Sequence, residues 1–243
     1  MDDPWIEIAG ARDSALLLIA DHASNRIPNG IALGIAPHLL DEHIAHDIGV
    51  DALGRALCAR FDCPGILGNV SRLVIDFNRE EAAEHLIPVA SDGHVIPGNR
   101  ISPEERAARL EQYWRPYHKQ ITTQIDRQGP ALLLSLHSFT PQLKSRQSEA
   151  RPWEIGILYN RDDRAARKAI PLLEGFGVCV GDQQPYSGTL LNATMNYHGE
   201  ARGIAYLGIE MRQDLIAEEA GVARWADVLT RVIEDCLSDR EAA

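Results

Sequence analysis

Ala131-Leu132-Leu133-Leu134-Ser135-Leu136 is a short, almost wholly apolar run that ends on His137-Ser138. A segment this short and this apolar reads as a strand buried on both faces. Working outward, residues 14–20 (SALLLIA), 72–77 (RLVIDF), 154–158, 177–181 and 203–211 (GIAYLGIEM) read as strands too. Between them lie helical faces. Residues 37–61 repeat apolar side chains every three to five positions, through Leu39, Ile44, Ile48, Leu53 and Leu57. Ser102-Pro103-Glu104-Glu105 supplies an N-cap, a first-turn proline and first-turn acids for a helix to Gln128, which Pro116 should kink or split. Residues 162–176, with Pro171 placed to interrupt them, and 218–237 complete the helices. Strands alternating with helices, several strands uniformly apolar, give an α/β fold. The expectation is a single-domain three-layer α/β/α arrangement over residues 1–243 around a mostly parallel mixed sheet. The Pro/Gly-rich stretch 86–99 (LIPVASDGHVIPGN) reads as an excursion near the site.

Composition narrows the partners. The chain has 243 residues, 24 Lys+Arg against 35 Asp+Glu, and a net charge of −11. Nucleic acid and anionic membranes both ask for a basic surface, so neither is expected as a partner. The 45% hydrophobic fraction suits a folded domain. Four cysteines form no CxxC pair, which disfavours a disulfide scaffold or a cysteine zinc site. The opening MDDPWIEIAG lacks the basic and apolar parts of a secretory signal, and no apolar run approaches a membrane span. The cytoplasm is the expected compartment. A homo-oligomer is left open.

In open α/β sheets ligands bind beyond the carboxyl ends of the strands. Asp21-His22-Ala23-Ser24-Asn25-Arg26 follow the first apolar run, Asn78-Arg79 follow RLVIDF, and His137-Ser138 follow ALLLSL; Glu210, Arg212 and Asp214 close GIAYLGI. Four strand ends thus deliver ionisable groups to one edge. The chemistry they suggest is metal-assisted hydrolysis. His22 and His137 could ligate a divalent metal, zinc first among them, with Glu210 handling the proton of a metal-bound water. Arg79 or Arg212 could clamp a substrate carboxylate. Asp47, inside the apolar HIAHDIGVDAL, is either a salt-bridge partner or a metal ligand. Asp76 should face inward and orient its neighbours. His43 and His46 form either a second metal pair or packing and capping groups, and His198 is held in reserve.

The blocks HASNRIP (22–28), HIAHDIG (43–49), SRLVIDFNR (71–79), SLHSFTP (135–141), YNRD (159–162) and IEMRQDL (209–215) together resemble the N-formylglutamate amidohydrolase family. The resemblance runs from about Leu16 to Trp225. It implies a zinc-carboxypeptidase-like (phosphorylase/hydrolase-like) sheet with a metal site at the strand ends. It also implies cleavage of N-formyl-L-glutamate to formate and L-glutamate, a step of histidine degradation. By that resemblance His22 and His137 are metal ligands, Glu210 is the catalytic glutamate, and Asn78-Arg79 bind a substrate carboxylate. Arg26 and Arg212 are candidates for the other carboxylate. Asn25, grouped with the substrate-binding candidates, stands where related hydrolases place a glutamate ligand; either the third ligand comes from elsewhere, with Asp47 the choice, or Asn25 coordinates weakly, or the site holds its metal less tightly. Another N-acyl amino acid or a C-terminal peptide bond would keep the chemistry and change the substrate. A metal-free protein that binds an acidic metabolite is the alternative of a different class.

Overall fold

The computed structural model describes residues 3–238. Seven strands form one mixed sheet in the order β1-β3-β2-β6-β9-β7-β8. They are β1 (Trp5–Ile8), β2 (Leu16–Ala20), β3 (Gly65–Gly68), β6 (Leu132–Phe139), β7 (Ile155–Leu158), β8 (Val180–Asp182) and β9 (Ala205–Arg212). Strands β3, β2, β6 and β9 run parallel, whereas β1 lies antiparallel to β3, and β7, with β8 parallel to it, lies antiparallel to β9. A separate hairpin, β4 (Ala90–Ser91) and β5 (His94–Val95), occupies the predicted excursion.

The central strands are buried along their whole length, so alternate residues feed two cores. Leu16, Leu18, Leu134, Leu136, Leu207 and Ile209 point into one layer, which they share with α1 (Val50–Phe61), α4 (Arg164–Gly175) and α6 (Glu219–Leu237). Leu17, Ile19, Leu133 and Tyr206 point into the other, against α3 (Arg115–Gln128). This is the three-layer α/β fold expected. No helix among the described residues is long and apolar enough to cross a membrane.

Three readings need correction. RLVIDF is not a strand: residues 72–77 are buried turns, although every one except Arg72 is fully or nearly fully shielded. Their backbone bonds go elsewhere, from Val74 N to Ser71 O at 2.8 Å and from Asp76 N to Leu86 O at 2.8 Å. The strand in this part of the chain is β3, immediately before, in a Gly-flanked segment too short to show a period. Residues 37–61 are not one helix either. A 3₁₀ turn (Pro37–Asp41) and a looped stretch precede α1, which starts only after Gly49 at φ 81°. The apolar spacing arises because Leu39, Ile44 and Ala45 pack into one layer and Leu53 and Leu57 into the other. Third, α4 continues through Pro171. The helix opened by Ser102 stays helical through Pro116 and changes its pitch just before it. After α2 (Pro103–Arg109) the chain widens into a π turn (Leu110–Trp114), with Arg115 N reaching Leu110 O, and resumes as α3. A proline cannot donate the next helical bond, and the wider turn accommodates that. α5 (Ala193–His198) precedes β9.

Candidate metal and substrate site

The sheet register places the chemistry. His137 on β6 and Glu210 on β9 are directly paired neighbours on parallel strands, and Glu210 faces Gly156 of β7 on its other side. Both side chains lie on the face that carries Leu133 and Tyr206, as the two-residue alternation requires. Gly156 is needed there: a Cβ would sit 2.2 Å from the Gln184 carbonyl oxygen. His22 comes just after β2. Asp47 lies in the turn before α1, tied to the same strand end by its N–H bond to His22 O at 2.9 Å.

His22, Asp47 and His137 are buried, and one ligand atom from each lies within 4.8 Å of the others. Asp47 Oδ2 is 3.3 Å from His22 Nδ1 and 2.9 Å from His137 Nδ1. Donors held at ~2.1 Å around a tetrahedral ion lie about 3.4 Å apart, so the donor set and its spacing fit a divalent cation after slight expansion. The outward nitrogens support the same orientation. His22 Nε2 meets Asp76 Oδ1 at 2.7 Å, and His137 Nε2 lies 3.4 Å from Asp21 Oδ2 and 3.5 Å from Asn78 Nδ2. Carboxylates behind metal-binding imidazoles fix their tautomer and raise their basicity. Arg72 ties the two acids together, donating to Asp47 Oδ1 at 3.1 Å and Asp76 Oδ2 at 2.9 Å.

The electrostatics are those of a shared positive charge. Burial works against ionisation of Asp47 and Asp76, yet both are held below the usual carboxylate range, Asp47 by His22 and His137, Asp76 by Arg72 and His22. Burial likewise opposes a charged His137, but Asp21, Asp47 and Glu210 hold its pKa well above the ordinary value. Glu210 differs. Burial pushes its carboxyl up to about 7, Asp47 adds to that, and His137 pulls the other way. Its Oε2 is buried and accepts no hydrogen bond. A buried acceptor left open costs free energy unless something occupies it.

A cavity of about 440 Å³ opens over this cluster, lined by His22, Arg72, Asp76, Asn78, Arg79, His137, Arg151, Tyr186 and Glu210 among others. The hairpin contributes Ala90, Ser91 and Asp92 to its lining. Of the residues singled out from sequence, His22, Asp47, His137, Glu210, Asn78 and Arg79 are thus brought together. Asn25, Arg26 and Arg212 are not. Asn25 Nδ2 donates to Leu40 O at 3.0 Å, away from the histidines, and Arg26 Nε donates to Asn69 O at 2.6 Å. Arg212 finds a carboxylate two residues on, its Nε donating to Asp214 Oδ1 at 2.8 Å on the surface. His43 lines the cavity, 3.1 Å from Asp92 Oδ2, and neither it nor His46 is on a helix or in the buried donor cluster. Sequence reasoning passed over Arg72, Arg151 and Tyr186. Only Arg72 carried a signal, standing four residues before Asp76.

Comparison with known proteins accords with this geometry. The N-formylglutamate amidohydrolase family pattern matches residues 14–217. The chain belongs to the N-formylglutamate amidohydrolase family. A gene product of Agrobacterium tumefaciens of solved structure is 31% identical and superposes with a TM-score of 0.93, over 99% of this chain and 97% of that one. The N-formylglutamate amidohydrolase of Ralstonia eutropha is 21% identical, with a TM-score of 0.75 over the full length of both chains, and shares the fold. No curated protein matches the chain. Membership makes this an N-formylglutamate amidohydrolase-like hydrolase, with its candidate metal donors and its buried glutamate at the strand ends of the family's fold.

Proposed function

We propose that the chain hydrolyses the formyl amide of N-formyl-L-glutamate, giving formate and L-glutamate, with a divalent cation, zinc in first place, held by His22, Asp47 and His137. The observation that carries this reading is the register pair His137–Glu210, with the open, buried oxygen of Glu210 beside the donor cluster. A cation held there would supply Lewis-acid polarisation of the amide carbonyl and would stabilise the charge that develops on it. Glu210 moves the proton. Its carboxylate takes one from the attacking water as the new C–O bond forms, and returns it to the nitrogen as the C–N bond breaks. Asp76 and Asp21 keep the imidazoles oriented, and Arg72 holds Asp47 and Asp76 in place. Arg79, with Asn78 beside His137, binds the substrate carboxylate next to the reacting nitrogen.

The test is hydrolysis of N-formyl-, N-acetyl- and N-succinyl-L-glutamate by protein of measured metal content. A preference for formyl of at least tenfold in kcat/KM supports the substrate; equal rates on all three overturn it and leave a general N-acyl amino acid hydrolase. One observation favours a different class. The His137–Asp47 distance of 2.9 Å is also that of a protonated imidazole paired directly with a carboxylate, which suits a metal-free binder of acidic metabolites. Metal analysis separates the two, since that reading expects no bound divalent ion and no formate release.

A further inference from the structure

Resting on the substrate just proposed, we infer that Arg151 and Tyr186 form a second carboxylate subsite that selects the acidic side chain of the substrate. Glutamate carries two carboxylates, and the arginines expected from sequence to bind the second lie outside the cavity. The cavity wall itself holds four guanidiniums, from Arg72, Arg79, Arg146 and Arg151. Arg72 is engaged by Asp47 and Asp76, and Arg146 is mostly exposed, 3.5 Å from Glu149. The nearest carboxylate oxygens to Arg79 and Arg151 among the described residues are 3.7 Å and 3.6 Å away, on Asp76 and Glu149, beyond good hydrogen-bond distance. Two under-paired guanidiniums face a substrate with two carboxylates.

Arg151 is the more telling of the pair, because its side chain is only 2% exposed. A buried cation ordinarily has its counter-ion in contact. Arg109, the other deeply buried arginine among the described residues, shows the usual solution, with Glu105 Oε1 at 2.9 Å. Arg151 has a carboxylate only at 3.6 Å, on half-exposed Glu149, and its hydrogen-bond partners are neutral: Nη1 donates to Thr140 O at 3.4 Å and Tyr186 Oη at 3.2 Å, and Nε is buried with no acceptor. The guanidinium also sits over the Tyr186 ring, 5.2 Å from its centroid, which fixes its plane. Tyr186 accepts from Arg151, leaving its own O–H to be donated toward the cavity it lines. A carboxylate placed there would receive both the guanidinium and the phenol. The division of labour follows from chemistry. The α-carboxylate is bonded to the carbon bearing the reacting nitrogen, so it belongs to Asn78-Arg79, which line the cavity together with His137 and Glu210. The side-chain carboxylate, three carbons further out, falls to Arg151 and Tyr186.

The experiment compares kcat/KM for N-formyl-L-glutamate and N-formyl-L-glutamine in the wild type, Arg151→Met, Arg151→Lys and Tyr186→Phe, with calorimetric binding of glutarate and 4-carbamoylbutyrate as a readout independent of turnover. The wild type should prefer the dicarboxylate by at least about 30-fold, the effect of one charge-assisted hydrogen-bonded contact. That preference should fall below about threefold in Arg151→Met, partly persist in Arg151→Lys, and fall severalfold in Tyr186→Phe. Loss should appear mainly in KM and in glutarate affinity. Should Arg151→Met fail to fold, the lysine and phenylalanine variants carry the same comparison. Equal losses on both substrates would make Arg151 a structural residue and overturn the subsite, as would an undiminished preference. If the wild type fails to hydrolyse either compound while glutarate selectivity still depends on Arg151, the subsite stands and the amidohydrolase reading fails.

Discussion

Glu210 owes its proton affinity first to burial and then to the neighbouring charge of Asp47, while its partner His137 on β6 lowers it. With the carboxyl held at about 7, the ionised form, which is the base in the proposed reaction, grows as pH rises through that point. A cation bound alongside moves the midpoint only downward. kcat/KM for N-formyl-L-glutamate should therefore rise to a plateau, with a midpoint at or below about pH 7; a profile still climbing at pH 9 would mean that another group limits the rate. A second titrating pair lies behind the site. His118 Nε2 donates to Phe77 O at 3.0 Å, which leaves its Nδ1 to accept from His198 Nε2 at 3.0 Å. Burial pushes His118 down to about 4 and His198, with His118's charge adding to burial, down to about 3. Both stay neutral in the folded chain while an unfolded chain would protonate them below about 6.5. The unfolded state then binds more protons between about pH 6.5 and 4, so stability must drop as the pH is lowered through that window, by up to about 1.4 kcal/mol per pH unit for each group. His198→Gln should flatten the Tm-against-pH curve between pH 6.5 and 4.5 relative to wild type; parallel curves would contradict neutral burial of the pair.

Gly156 shows how an element fixes the site. β7 must pass between Glu210 and the Gln184 carbonyl, and the space admits no Cβ. Gly156→Ala should destabilise the fold by about 1–3 kcal/mol through overpacking against backbone. It should also lower kcat/KM, because the displaced segment leads to Tyr186 and the displaced strand backs Glu210. Thermal melts and kinetics check both; a wild-type Tm would show that the gap can widen freely. The strands that bear the chemistry were legible for the same physical reason that they are rigid. β6 and β9 are buried on both faces, so their sequences are continuous apolar runs that change to polar at the functional edge. RLVIDF has the same composition and misled, since burial alone sets composition while its hydrogen bonds run to Ser71 and Leu86 instead of a neighbouring strand. Asp47 was readable as a carboxylate needing a partner, but its place in a turn rather than a helix followed only from Gly49. Arg151 had no local signal, because its one distinctive partner, Tyr186, is 35 residues away.

At the scale of the whole molecule, a chain of net charge −11 lines one cavity with four arginines. Global charge therefore says little about the ligand, which the local field selects. The three candidate donors come from positions 22, 47 and 137, so a cation held by them would join β2, the turn before α1 and β6. Its removal should leave the two cores folded and lower Tm. The stabilisation amounts to about 4 kcal/mol when the ion is present at a thousand times its Kd. Chelator titration with zinc add-back, followed by calorimetry, checks this, and an unchanged Tm would argue against a site that bridges these segments. The central claim is that Glu210 works on an amide held beside a cation bound by His22, Asp47 and His137. Its most direct test is the rate of formate release from N-formyl-L-glutamate by wild type and Glu210→Gln, each loaded with zinc and assayed for metal content. The account predicts about one ion per chain in both proteins and a rate at least about 100-fold lower in the variant. Equal formate release by the two would contradict it.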